Sequence, residues 1–441
     1  MPNYFTVTTL VLFISLSCSS ISPPQEPKSN ESRFSILQGL TWNQGAILSV
    51  LRQKTQKLTY HQTSGILSPS LSAALQATTY ELESSPWVVD HIETTLGKEP
   101  TYLEIKDSKG QVMDRRQIGQ VNLNKSTFKL AITSCMNDRF EKDQEQIWKD
   151  LAKDKPEYLF MIGDNVYATT ILGPLEKSVD KSRLWDRYVQ TRRTLAIFYL
   201  DELIPTLAQW DDHDYGTNDG DKTNPYRREA MEVFEAFYPQ KPTKGVLTRG
   251  PANSFVFDAF QARFYFLDNR SEREPNGSDS GKYAHFGEKQ ETWLFQSLKS
   301  HSMPSWLLMG DQFFGGYHRF ESFEGNHAKS FKHFLKLLQG IQQPLVFASG
   351  DRHLTEISKI GPPDLSYETY ELTSSPVHAK THPSGWQVTP NRRQLVGADL
   401  KINYMILEGS HSTRGLAVKA TAKSKFQEIL FNKDLLIKRS N

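Results

Sequence analysis

Four short polar clusters in this chain hold residue types that can bind metal ions and move protons. They are Ser134-Cys135-Met136-Asn137, Gly163-Asp164-Asn165-Val166-Tyr167, Trp210-Asp211-Asp212-His213-Asp214 running on to Asn218 and Asp219, and Ser349-Gly350-Asp351-Arg352-His353. The carboxylates of Asp211, Asp212 and Asp214 around His213 repel one another unless cations compensate, so a purely solvated loop does not account for the third cluster. Asp351 and His353, two residues apart, can face one side of an extended segment and reach adjacent metal ions. Read singly, some of these clusters have ordinary explanations. A free cysteine is usually a buried small apolar residue, and a Gly-Asp pair after a strand is a common turn.

Their placement gives them weight as a set. Open α/β sheets bind ligands in the crevice beyond the carboxyl ends of their strands, and all four clusters fall at such ends. FKLAITS (128–134), YLFMIG (158–163), FQARFYFLDNR (260–270), SWLLMGD (305–311) and PLVFASG (344–350) read as strands. Helical spacing appears in 142–153, where Ile147 and Leu151 are four apart. It returns in RREAMEVFEAFYP, where Met231, Phe234 and Tyr238 share a face and Pro239 stops the pattern, and in 328–340, closed by Gly340. From about residue 126 the chain therefore alternates strands and helices in the βαβ manner. Residues 34–125 differ: short apolar segments with turn signals, including a hairpin turning at Lys109-Gly110, predict an antiparallel sandwich resembling an immunoglobulin-like or fibronectin-like module. Ala73-Ala74-Leu75-Gln76 could be helical within it.

The order and spacing of the clusters resemble the calcineurin-like metallophosphoesterase plan, in which residues after successive strands build a two-metal site. Here Ser134-Cys135 stands for the usual Asp-x-His, Tyr167 for a second Asp, Asp211-Asp212-His213-Asp214 for Gly-Asn-His-Asp, and Gly350-Asp351-Arg352-His353 for Gly-His-x-His. With Leu267-Asp268-Asn269-Arg270, Gly310-Asp311-Gln312-Phe313 and Ser374-Ser375-Pro376 in support, these substitutions resemble the alkaline phosphatase D (PhoD-like) family over roughly 126–380. The resemblance implies a four-layer α-β-β-α metallophosphoesterase sandwich over 126–441, preceded by the small antiparallel β-sandwich of 34–125. It implies that Cys135, Asp164, Tyr167 and His353 hold a ferric iron, and that Asp164 bridges to calcium, with Asp212, Asp351 and Asn218 as further ligands. A thiolate and a phenolate suit ferric iron, whereas carboxylate and amide oxygens suit calcium. The implied activity is phosphoester hydrolysis, as an alkaline phosphatase or phosphodiesterase, by in-line attack of an activated water. His213, beside Asp214, would protonate the leaving oxygen, and Arg352 and Arg139 would pair with phosphoryl oxygens.

Composition narrows the alternatives. A chain of 441 residues is too long for one compact core and predicts two or three domains. With 52 Lys+Arg against 50 Asp+Glu, the net charge of +2 provides no overall field and no evident patch for nucleic acid. The expected partner is a phosphoester small molecule or phospho-polymer, bound by a monomer. Apolar residues at 38% exclude both wholesale disorder and a polytopic membrane protein. The uncharged run Tyr4–Ser17 is shorter than the roughly 20 residues needed to span a bilayer. It has signal-peptide length, and the small residues around Cys18 resemble a bacterial lipoprotein signal. Residues 1–18 then form a signal peptide and 19–33 a polar tether, giving an exported protein, periplasmic or membrane-anchored through Cys18. Simple secretion and a cytosolic start are the alternatives. The chain has two cysteines, so loss or lipidation of Cys18 leaves Cys135 without an internal disulfide partner. Two other functions remain open: a surface-tethered binding protein with an inactive phosphatase-like domain, and a redox or halide-processing metalloenzyme. His327 and His333 are expected to be partly exposed, Phe313–Phe320 to form a packed aromatic loop, and the segment with His378 and His382 could fold back on the site.

Overall fold

The computed structural model describes residues 33–65, 73–140, 144–169, 178–278, 281–316, 322–381, 391–398, 400–412 and 415–438. The expected signal peptide, nearly all of the expected tether, Cys18, His382 and residues Tyr317 to Phe320 of the expected aromatic loop lie outside them. The fold is mixed α/β, with four multi-stranded sheets.

Two of the sheets carry the polar clusters. One has six strands in the order Thr206–Gln209, Tyr158–Ile162, Thr127–Thr133, Tyr404–Ser412, Gly415–Lys423 and Ile429–Ile437. The first three are mutually parallel, with Met161 opposite Thr133 and Ile162 opposite Gln209. The other has eight strands, among which Ala262–Phe266, Ser305–Leu308, Leu345–Ser349 and Thr369–Thr373 run parallel side by side. Tyr158–Ile162 and Leu345–Ser349 are buried at every position, which is why the sequence shows unbroken apolar runs rather than alternation. One face of each sheet turns toward the other sheet: Phe160 lies 5.3 Å from Phe264 and 5.1 Å from Phe266, ring centre to ring centre, and Phe128 lies 6.1 Å from Trp306. The opposite faces are covered by helices. Gln144–Lys153, Lys181–Thr194 and Arg227–Phe237 pack on Ala131, Leu159 and Met161, while Gly287–Lys299 and Ala328–Leu338 pack on Tyr265, Leu307 and Phe347. No helix among the described residues is long and apolar enough to cross a membrane.

Residues 35–118 form two four-stranded antiparallel sheets around Ile36, Leu48, Val50, Ile92, Leu103 and Ile105. The hairpin Thr101–Lys106 to Val112–Ile118 turns through Gly110 at φ +79°, and Asp107 Oδ1 accepts from the backbone N–H of Lys109 and Gln111. Ala73–Leu75 is a strand, not a helix, with Leu75 opposite Tyr60. Three residues cannot offset the entropy of starting a helix, whereas adding to an existing strand needs no nucleus. The basic C-terminal stretch forms the interior strand Gly415–Lys423 and the edge strand Ile429–Ile437, the last with a largely exposed face.

Arg192 ties these first strands to the rest of the chain. Fully buried, it donates to Ser35 O and Oγ, Ser49 O and Oγ, and Phe237 O. Burial alone lowers its guanidinium to about 10, still charged at neutral pH. Arg192→Met removes five buried hydrogen bonds, three of them to carbonyl oxygens, so thermal unfolding should show a loss of roughly 3 kcal/mol. An unchanged midpoint would mean that these bonds contribute no net stability.

Candidate metal centre

The parallel strands of both sheets end at one edge, where their backbones touch. Gly163 follows Tyr158–Ile162 at φ +99°, and a methyl group on it would lie 2.8 Å from Asp211 Cβ and 2.9 Å from Gly310 Cα. One on Gly350 would lie 2.6 Å from Ser134 Cβ. Only glycine permits both approaches, which bring the clusters after Thr133, Ile162, Gln209 and Ser349 together. The turns that follow are strained in a consistent way. Cys135 (φ 59°), Asp164 (φ 53°), Asp351 (φ 58°) and His353 (φ 54°) all adopt the left-handed region. Each such residue costs on the order of 1 kcal/mol or more, a cost that gathers at functional sites because it re-aims side chains.

At one end of the site, ligand atoms of Cys135, Asp164 and His353 lie within 4.8 Å of one another. Cys135 Sγ is 3.8 Å from Asp164 Oδ2, and the Tyr167 hydroxyl is 3.1 Å from His353 Nε2. The thiol is fully buried and accepts a hydrogen bond from Ser375 Oγ at 3.1 Å. Burial, reinforced by the charge of Asp351, pushes the thiol up to about 12, and burial with the charges of Cys135 and Asp164 pushes the Tyr167 phenol well above its usual value. In an anionic cluster of this kind, a bound cation is what would favour thiolate and phenolate.

At the other end, Asp164, Asp212 and His213 form a second such group and Asp211, Asp212 and Asp351 a third. Asp164 thus belongs to both ends. Burial and the charges of Asp212, Cys135, Asp211 and Asp351 raise its carboxyl well above the usual range. Asp211 Oδ2 and Asp212 Oδ1 are buried and have no hydrogen-bond partner among the described residues. Orphaned carboxylate oxygens facing like charge fit hard cations, and the thiol, phenol and imidazole at the far end fit a softer or ferric ion. His213 is fixed by its Nδ1 contact to Thr169 Oγ1, by its backbone N–H to Asp164 Oδ1 at 3.3 Å, and by stacking at 4.3 Å on the Tyr167 ring. With Nδ1 engaged in this way, Nε2 is the nitrogen suited to proton transfer.

Other expected residues fall differently. No described contact pairs Asp214 with the His213 ring: its carboxylate accepts from the backbone N–H of Asn165, Val166 and Asp211, holding the start of the helix Asp212–Tyr215. One helical step of about 100° turns it away from His213. Asn218 is exposed and its amide donates to Asp219 Oδ2, so no described contact brings it to the acidic group. Arg352 is half-buried between Asp351 and His353. Arg139 is half-buried with a buried Nε that has no hydrogen-bond partner among the described residues, and burial together with the nearby Arg187 charge lowers its guanidinium. His327 is fully buried rather than partly exposed, because it stands between the short helix Phe323–Asn326 and Ala328–Leu338 and meets His285 at 3.2 Å. Phe313 and Phe314 are packed as expected. His378 does fold back on the site: it accepts from Trp148 Nε1 at 3.1 Å and pairs with Asn137 O at 3.2 Å, beneath the Cys135 turn.

Three contributors are given no role of their own by the sequence alone. Asp211 joins the acidic group; Thr169 orients His213; Arg187 donates to Tyr167 O at 3.1 Å and pairs with Asp138 at 2.6 Å. In the sequence Asp211 counts among the carboxylates that call for cations but not as a ligand, so its type was the available signal. Nothing in the sequence marks Thr169 or Arg187.

No curated protein sequence gives a match to the chain. Among solved structures, one described as "Structure of PhoD" superposes with a TM-score of 0.67 over 95% of this chain and 94% of its own, at 14% sequence identity, a likeness of fold. The family model for PhoD-like phosphatase matches residues 130–411, which span all four clusters and more than half of the sequence. The chain belongs to the PhoD-like phosphatase family.

Proposed function

We propose that this protein is an exported, metal-dependent phosphoesterase that uses iron and calcium, iron at the Cys135 end and calcium at the acidic end. The observation that carries this reading is the shared position of Asp164, one carboxylate common to a thiol-containing group and a carboxylate group. Its two sheets with helices outside are consistent with a four-layer α-β-β-α sandwich, and residues 34–125 with an antiparallel β-sandwich before it. Bound cations would supply a water of lowered pKa and neutralise charge gathering on the phosphoryl group.

The chain's own residues do the rest. His213, held through Nδ1 by Thr169, gives a proton from Nε2 to the departing oxygen. Its stacking on Tyr167 keeps the ring in plane while that proton moves. Asp214 acts on neither proton nor substrate and anchors the turn carrying Asp212 and His213. Arg139 and Arg352 receive phosphoryl oxygens; an anion between Arg139 and Arg187 would offset the repulsion that lowers Arg139. A small phosphoester or the end of a phospho-polymer fits this chemistry.

The test uses the purified full chain, metal analysis and two substrates, an aryl phosphate monoester and a diester. Hydrolysis of at least one is expected, falling at least about 100-fold on chelation and returning with added calcium. Turnover indifferent to chelation, or a metal-free protein that turns over neither ester, sinks the proposal. In the second case the inactive binding reading takes its place.

A further inference from the structure

Asp211 is tied into a buried polar chain that no step above uses. Asn269 Nδ2 donates both of its hydrogens, one to Asp211 Oδ1 and one to Asp311 Oδ1, each at 2.8 Å. Arg273 grips Asp311 Oδ2 at 2.7 Å, and His285 Nε2 lies 3.5 Å from Asp311 Oδ1. His285 in turn meets His327, whose Nε2 reaches Glu274 O at 3.1 Å. Asn269, Arg270, Arg273, His285, Asp311 and His327 are all fully buried.

The connectivity has a direction. Asp211 Oδ1 receives both Asn269 and Arg270, so that oxygen is occupied, while Oδ2 is buried without a hydrogen-bond partner among the described residues. Asn269 and Arg270 together decide which oxygen is left over, and Asn269 is in turn bonded to Asp311. Asp311 is itself clamped by Arg273, with the buried His285 ring beside it. Buried charges of this kind are a poor route to stability, because apolar residues of similar volume commonly do as well. Their presence beside a cation-fitting group calls for another role, and the carboxylates behind metal ligands are known to tune affinity.

We propose that Asp311, acting through Asn269, is a positioning residue for the acidic subsite, holding Asp211 so that Oδ2 is offered to a divalent cation. Asp211 then fills the place expected of Asn218. The inference rests on the metal-dependent reading above. It is tested on the full chain with Asp311→Asn and, separately, Asn269→Ala, which breaks the bridge while leaving the Asp311–Arg273 pair intact.

Each protein is dialysed against graded Ca2+ and its bound metal measured. The half-saturating Ca2+ concentration should rise roughly 10- to 100-fold in both variants, with the metal at the Cys135 end unchanged. Turnover should fall in kcat with little change in KM and recover at high Ca2+, a rescue that a merely structural defect does not show. Should Asp311→Asn fail to fold, Asn269→Ala decides. Ca2+ curves within twofold of the unaltered chain in a folded Asn269→Ala overturn the proposal. No Ca2+ uptake by the unaltered chain overturns the metal reading itself, and the positioning role with it.

Discussion

Asp164→Asn should lower kcat/KM for phosphoester hydrolysis by roughly 10³-fold or more, equivalent to about 4 kcal/mol of transition-state stabilisation. Its carboxylate is common to the Cys135–His353 group and the Asp212–His213 group, so one substitution weakens both ends at once. The loss should not come from misfolding. The introduced amide keeps an oxygen that can accept the His213 N–H, and the substitution removes a charge set against Asp212, Cys135, Asp211 and Asp351. Metal-free Asp164→Asn should therefore unfold at a temperature no lower than the metal-free parent, while retaining less of both metals. A variant that keeps full metal content and activity would show that Asp164 is not a ligand. One that unfolds well below the metal-free parent would show that its role is structural.

Cys135→Ser has the second largest expected effect, and it acts on one end only. Sγ is fully buried, takes a hydrogen bond from Ser375, and lies 3.8 Å from Asp164 Oδ2. Serine keeps the shape and accepts the same bond, but an alkoxide forms far less readily than a thiolate, so a charged donor is lost. Bound iron should fall at least roughly tenfold, and any visible absorption from thiolate and phenolate ligation should vanish or shift. Calcium at the acidic end should be held nearly as before. Thermal stability without metal should change by less than about 1 kcal/mol, since the volume is nearly conserved. Unaltered iron content and spectrum in Cys135→Ser would remove the thiol from the proposed ligand set.

Much of the scaffold was legible in the residues alone. Tyr158–Ile162 and Leu345–Ser349 are covered on both faces, and burial of that kind writes itself as an unbroken apolar run. Ile147 and Leu151 recur at helical spacing because only one face of Gln144–Lys153 is buried. The Ala73–Leu75 segment was less legible: its conformation comes from the neighbouring strand Thr59–Ser64, a long-range pairing that its own residues do not announce. The burial of His327 was hidden for a similar reason, since its partner His285 is 42 residues away.

The sequence by itself determined which chemistry was available. A thiol, a phenol, two imidazoles and a set of carboxylates follow apolar strands, because ligand-binding groups in α/β folds gather where strands end. What only the tertiary structure decided was which of these groups face one another. Asp212 and Asp214 are the same residue type on one short helix, yet the first joins the cation-fitting groups and the second caps backbone amides, because helical rotation separates them by about 200°. Asp211 is drawn in by Arg270 and Asn269, nearly sixty residues further along the chain. Local spacing can carry a residue to the edge of a sheet, but the second sheet, meeting the first at Gly163 and Gly350, decides what it finds there.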